Sequence, residues 1–119
     1  MSQRRSNPPF LNGVPELLIL HLLSRQPMYG YELVQAIKQA TGQQLQFGEG
    51  CVYPILHRLE AQDLLSAGRE SVSGRSRVVY RLTSKGKKQL GMTVACWQRV
   101  ASAINEALRG EGNGQPVLA

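Results

Sequence analysis

The chain has no apolar run long enough to span a membrane: its longest, Leu17 to Leu23, already contains His21 and stops far short of the roughly 18 residues required. Cysteine is scarce. Cys51 and Cys96 lie far apart with no CxxC pairing, which argues against a disulfide framework or a zinc site and leaves two reduced thiols as the expectation. Aromatic residues make up 6%, and Trp97 is the single tryptophan. There is no phosphate-binding glycine loop, no cluster of metal-ligand residues and no nucleophile with a neighbouring base, so neither an enzyme nor a bound metal or cofactor is expected. The Arg4-Arg5 start does not lead into an apolar signal segment, and a cytoplasmic location follows as the expectation. At 119 residues and 42% hydrophobic, the chain can fill one modest core, too small for two domains or a large catalytic cleft.

Acidic residues are outnumbered, eight to 14, and their distribution is uneven. Between Arg69 and Lys88 seven basic side chains (Arg69, Arg75, Arg77, Arg81, Lys85, Lys87 and Lys88) face the single acid Glu70. The remainder carries seven of each sign, so the whole net charge of +6 resides in that segment. Such confinement is the electrostatic footprint expected for a polyanion, with a solvated basic face as the plain alternative.

Periodicity places the elements around this segment. Residues 1–13 read as a flexible arm in which Arg4 and Arg5 could touch a DNA backbone. From Pro15 an apolar helix runs to Ser24, and Gln26-Pro27 ends it. A second helix spans Tyr29 to Thr41, with Leu33, Val34, Ile37 and Thr41 on its inner face and Gly42 as its stop. A third begins near Gly50 and buries Val52, Ile55, Leu56 and Leu59, so Cys51, Tyr53, Pro54, His57 and Arg58 project away; Pro54 is expected within the first turn, where its missing donor costs nothing. Leu65 to Val72 and Arg77 to Thr83 read as two strands joined at Ser73-Gly74, with Val78, Tyr80 and Leu82 on one face. Ser84 is expected to cap a last helix reaching about Gly110, along which Leu90, Val94, Trp97, Ala101, Ile104 and Leu108 form a heptad seam. That helix is longer than one side of so small a core can cover, and its seam calls for a second copy of the chain. Residues 111–119 read as a disordered tail.

The resulting fold class is mainly α with a small β-hairpin (α+β): a winged helix-turn-helix over residues 14–83 and a long dimerisation helix over 84–110. The expected DNA-binding set is Gly50, Cys51, Tyr53, His57 and Arg58 on the third helix, Arg69, Arg75 and Arg77 on the hairpin, and Lys85. Each has a plainer reading. Tyr53 serves either a phosphate or base, or packing onto the second helix. Arg58 either reads a base edge, guanine by preference, or pairs with Glu60 or Asp63. Gly30, between Tyr29 and Tyr31, reads as a close-packing site. Trp97 either packs the dimer or, paired with its copy, forms a slot for a planar aromatic effector.

Three segments in order, Pro27-Met28-Tyr29-Gly30-Tyr31-Glu32-Leu33, Gly50-Cys51-Val52-Tyr53-Pro54 through Arg58-Leu59-Glu60, and Gly74-Arg75-Ser76-Arg77 with Tyr80-Arg81-Leu82-Thr83, closely resemble the PadR-like transcriptional regulators. The resemblance covers about Glu16 to Leu108 and implies a dimeric, repressor-type winged helix protein of the short subfamily. It implies the helix from Gly50 to Gln62 in the major groove and the Gly74 wing at the backbone or minor groove. Cys51 stands where threonine is usual, and Phe47-Gly48-Glu49 where serine and proline are frequent, which bears on contacts at the helix start. Phe47-Gly48-Glu49-Gly50 and Gly74-Arg75-Ser76-Arg77-Val78-Val79-Tyr80 also resemble the Pex branch, which regulates a circadian clock gene in photosynthetic bacteria. Two other readings stand beside this one: a winged helix that binds an acidic protein partner, and a small ligand carrier or enzyme built on a Trp97 dimer pocket.

Overall fold

Gly13 in the left-handed region and Pro15 in the first turn start α1 (Val14–Arg25), which buries Ile19, Leu20, Leu22 and Leu23. The structure, a computed structural model, describes residues 13–110; the arm before Gly13, with Arg4 and Arg5, and the tail from residue 111 lie outside the described residues. After α1 the chain forms β1 (Met28–Tyr29) and α2 (Gly30–Ala40), then α3 (Glu49–Ala61), β2 (Leu65–Val72), β3 (Arg75–Leu82) and α4 (Ser84–Arg109). Leu33 and Ile37 of α2, Val52, Leu56 and Leu59 of α3, and Leu65 of β2 close the core with α1. Burial of each such side chain contributes about 1.5–3 kcal/mol before entropy is counted.

The sheet has three antiparallel strands in the order β1-β3-β2, one more than periodicity revealed. Tyr29, expected to open the second helix, lies in β1: Met28 is opposite Tyr80 and Tyr29 opposite Val79. Two residues are too few to show alternation, so such a strand leaves no pattern to read. The same Tyr29 precedes α2, its N–H donating to Glu32 Oε1 at 3.0 Å and thereby fixing the chain's turn into the helix. Across β2 and β3, Glu70 stands opposite Arg77 and Val72 opposite Arg75. Ser73 and Gly74 both have positive φ (53° and 80°), the two-residue turn whose twist matches the strands. β3 therefore begins at Arg75, two residues earlier than expected.

Two helix termini also differ from expectation. Thr83, not Ser84, caps α4: its Oγ1 accepts from the Gly86 N–H at 3.0 Å. Pro54 lies in the second turn of α3, because the helix starts at Glu49; the carbonyl of Gly50 consequently has no N–H four residues ahead to accept from.

The end of α3 is latched to the beginning of α4. Thr83 Oγ1 lies 3.0 Å from the carbonyl oxygen of Leu64 and 2.7 Å from that of Asp63, and Lys85 Nζ donates to the carbonyl of Gln62 at 3.0 Å. Gly86 is buried beneath this latch, where a Cβ would stand 2.2 Å from the Leu64 carbonyl oxygen. The start of α4 is thus seated by backbone contact on the turn between α3 and β2. No helix among the described residues is long and apolar enough to cross a membrane.

Candidate nucleic-acid interface

The exposed stripe of α3 comprises Gly50, Pro54, His57, Arg58 and Ala61, which recur with helical spacing opposite the buried Val52, Leu56 and Leu59. Cys51 and Tyr53 do not belong to it, contrary to expectation: both are half-buried and pack against the core. For Tyr53 the reason is Gly30. A Cβ at that glycine would come within 2.5 Å of the Tyr53 ring and hydroxyl, so only glycine lets the ring settle against the start of α2. The plain packing reading of Gly30 and Tyr53 is therefore what the structure shows. His57 follows one turn later, its ring 6.4 Å from that of Tyr53. Arg58 pairs with neither Glu60 nor Asp63; its Nη2 donates to Glu16 Oε1 of α1 at 2.9 Å. With the arginine side chain 48% exposed, this bridge is worth little as stability but holds the guanidinium to one side of α3. Glu16 lies 42 residues away, and no local pattern pointed to it.

The seven cations of the charged segment occupy different situations. Arg81 is neutralised by Glu70, Arg69 donates to Ser76 Oγ at 3.4 Å, and Lys85 is committed to the α3 terminus. Lys85 therefore serves the latch first, an assignment its charge alone did not disclose. Arg75, Lys87 and Lys88 are exposed and have no ion-pair or hydrogen-bond partner among the described residues. Arg77, expected with Arg75 among the DNA-binding residues of the hairpin, differs from it in being half-buried, its guanidinium 4.5 Å from the ring centroid of Tyr29.

Between α3 and the hairpin lies an open cleft of about 260 Å³, bounded by Tyr53 and His57 on the helix side and by Arg69, Ser76 and Arg77 on the strand side. Tyr29 and Tyr80 also line it, and no carboxylate does. Burial, followed by the Glu60 carboxylate and Tyr53, pushes the Tyr80 hydroxyl above its ordinary range, so it remains a neutral hydroxyl near pH 7.

On α4 the seam divides. Leu90 packs against the core of its own chain, while Val94 and Ala101 are half-buried. Trp97 and Ile104 are 49% and 52% exposed, and Leu108, Val100 and Met92 are also open. Leu90 is thus first a core residue, and the exposed apolar surface gathers along the later turns of the helix.

Three helices over a small sheet, a helix exposing His57 and Arg58, and a basic hairpin beside it define a winged helix of the DNA-binding class. Comparison with known proteins specifies it further. The profile of the transcriptional regulator PadR-like family matches residues 19–92. The chain is 36% identical over 81 residues to the transcriptional regulator Rv3488 of Mycobacterium tuberculosis, covering 68% of this chain and 73% of that one. It also superposes on a PadR-like transcriptional regulator of Bacillus cereus (TM-score 0.74, 33% identity, 85% and 97% of the two chains). With a Streptococcus mutans protein, smu.1704, the TM-score is 0.78 at 31% identity, over 88% and 95% of the two chains. The chain belongs to the PadR-like transcriptional regulator family. It is a DNA-binding transcriptional regulator and not an enzyme.

Proposed function

We propose that the chain acts as a homodimeric repressor on an inverted-repeat operator, with α3 in the major groove and the hairpin at the flanking backbone. The observation that carries this reading is the cleft that brings the exposed side of α3 and the arginines of the hairpin together without a single carboxylate. Phosphate contacts from the hairpin supply affinity, and His57 and Arg58 supply sequence choice. Two copies joined along α4 present two reading helices, and the half-sites fall about one helical turn apart.

Duplex titration at several salt concentrations, followed by footprinting, tests the proposal. Affinity is expected to fall steeply with salt. Arg75→Ala is expected to weaken all sequences alike and to lower the salt slope by about one unit, because an exposed hairpin-tip cation touches phosphate rather than bases. Arg58→Ala is expected to cost roughly 1–3 kcal/mol and to relax preference at one base pair per half-site, once Glu16 releases the guanidinium to the groove. Flat salt dependence, or equal affinity for every sequence under competitor, favours the protein-interaction reading instead. Genome-wide footprints name the regulated promoters, and a clock-gene promoter among them is what the Pex-like segments imply.

The exposure of Trp97 favours a second, compatible role as one wall of an effector slot between two copies. A planar cationic dye that quenches Trp97 fluorescence and also lowers operator affinity is the expected result. Quenching with unchanged DNA affinity is adventitious binding, and no quenching by any dye leaves Trp97 as a packing residue.

A further inference from the structure

Arg77 is held in a way that its fold alone does not explain. Glu70 is directly opposite in register yet bonds Arg81, so the natural cross-strand partner is already occupied. The Arg77 guanidinium is stacked on Tyr29 instead, and its Nε is sealed from solvent without a hydrogen bond. Desolvating part of a guanidinium without an acceptor is unfavourable, and the cation–π contact offsets it only in part. The unspent capacity belongs to the Nη groups, and the cleft they border contains two arginines, three tyrosines, a histidine and a serine but no anion.

We infer that this cleft is the seat of one backbone phosphate of the bound duplex, gripped by Arg77, with Tyr29 as the positioning residue that aims the guanidinium. The inference rests on the DNA-binding reading above and adds to it a specific contact. Its geometric reason is the two walls. With α3 in the groove and the hairpin outside it, the strand bordering the groove passes between Tyr53 and His57 on one side and Arg69, Ser76 and Arg77 on the other. A phosphodiester there meets a fork already oriented, so little side-chain entropy is lost on binding. Arg75, at the exposed tip, has no such support.

The distinction is measurable. Arg77→Ala is expected to lower affinity for the selected duplex about 10- to 100-fold, as loss of a charge-assisted contact implies. Arg77→Lys keeps the charge but neither the fork nor the same stacking, and is expected to recover only a minor part of the loss. Tyr29→Phe keeps the ring face and should bind as wild type does. Tyr29→Leu should lose roughly 3- to 10-fold with the salt slope unchanged, because no cation has been removed. The deciding measurement replaces single phosphates of the duplex by neutral methylphosphonates. One position per half-site is expected to cost wild type about as much as Arg77→Ala does, and to cost Arg77→Ala or Arg77→Lys almost nothing further. If every phosphate position weakens wild type and both Arg77 variants alike, Arg77 grips no phosphate and the inference fails, although the family reading stands. If wild type shows no duplex selectivity at all, the DNA-binding reading itself fails. Adenosine monophosphate, added at constant ionic strength, separates a second source of the same chemistry. Displacement of DNA by it from wild type and not from Arg77→Lys would assign the cleft to a free nucleotide and overturn the duplex assignment. Thermal melts of each variant keep loss of fold apart from loss of contact.

Discussion

Ala101→Glu is expected to sediment as a monomer at micromolar concentration and to lose specific operator binding by about 100-fold or more, because one particle would no longer engage both half-sites. The physical case lies on α4. Its 26 residues extend about 39 Å at 1.5 Å per residue, and after Leu90 joins the core the helix carries Trp97, Val100, Ile104 and Leu108 into solvent. An isolated chain would leave this apolar surface wet, and the two-fold copy proposed above would cover it with the same surface. Ala101 lies in the middle of the stretch and is itself half-buried, so its replacement sets two carboxylates near the axis without partners. The same substitution should leave the thermal melt of the winged-helix portion cooperative. A stable dimer for Ala101→Glu would show that α4 is not the main interface.

Gly86→Ala is the second large effect, and it acts through geometry rather than chemistry. The added methyl would meet the Leu64 carbonyl oxygen at 2.2 Å and Leu82 Cδ1 at 2.6 Å. A leucine tip can rotate, but the Leu64 carbonyl, in the turn between α3 and β2, already accepts from the Thr83 N–H at 3.1 Å and cannot move without loosening that bond. Overpacking of this kind costs about 1–3 kcal/mol, and the backbone obstacle puts Gly86→Ala at the upper end. The melting temperature should fall by roughly 10 °C or more. Because the same contact seats the start of α4, the proposed dimers that survive the substitution should bind operators with altered half-site spacing better than wild type does. A melt within about 2 °C of wild type would mean that α4 can slide away at little cost, against the tight latch of Thr83 and Lys85.

Much of this architecture was legible in the order of residues. Leu33 and Ile37, then Val52, Leu56 and Leu59, announce buried helix faces because a helix repeats every 3.6 residues and burial must follow that repeat. Ser73-Gly74 marks the hairpin turn, since both positions need positive φ. The confinement of net charge to residues 69–88 pointed to a polyanion before any fold was known. These signals are local or compositional, and the covalent chain carries them directly.

Other features depend on which distant segments meet, and here local reading went astray. Periodicity assigned Cys51 and Tyr53 to the outer side of α3, but the missing side chain of Gly30 opens a place for Tyr53 beside α2. For Arg58 it offers only Glu60 or Asp63 as ion-pair partners beside a base edge, whereas α1 supplies Glu16. It gives Arg77 no aromatic neighbour, while a two-residue strand too short to be patterned carries Tyr29 to the neighbouring edge of β3 and beneath the guanidinium. The helices, the hairpin, the basic segment and the resemblance to PadR-like regulators are readable without a fold, because each is written in periods or motifs along one stretch of chain. Which cations remain free, which tyrosine packs against a glycine and which one lies under an arginine follow from the folded arrangement, because each depends on side chains from separate elements competing for the same space and the same charge.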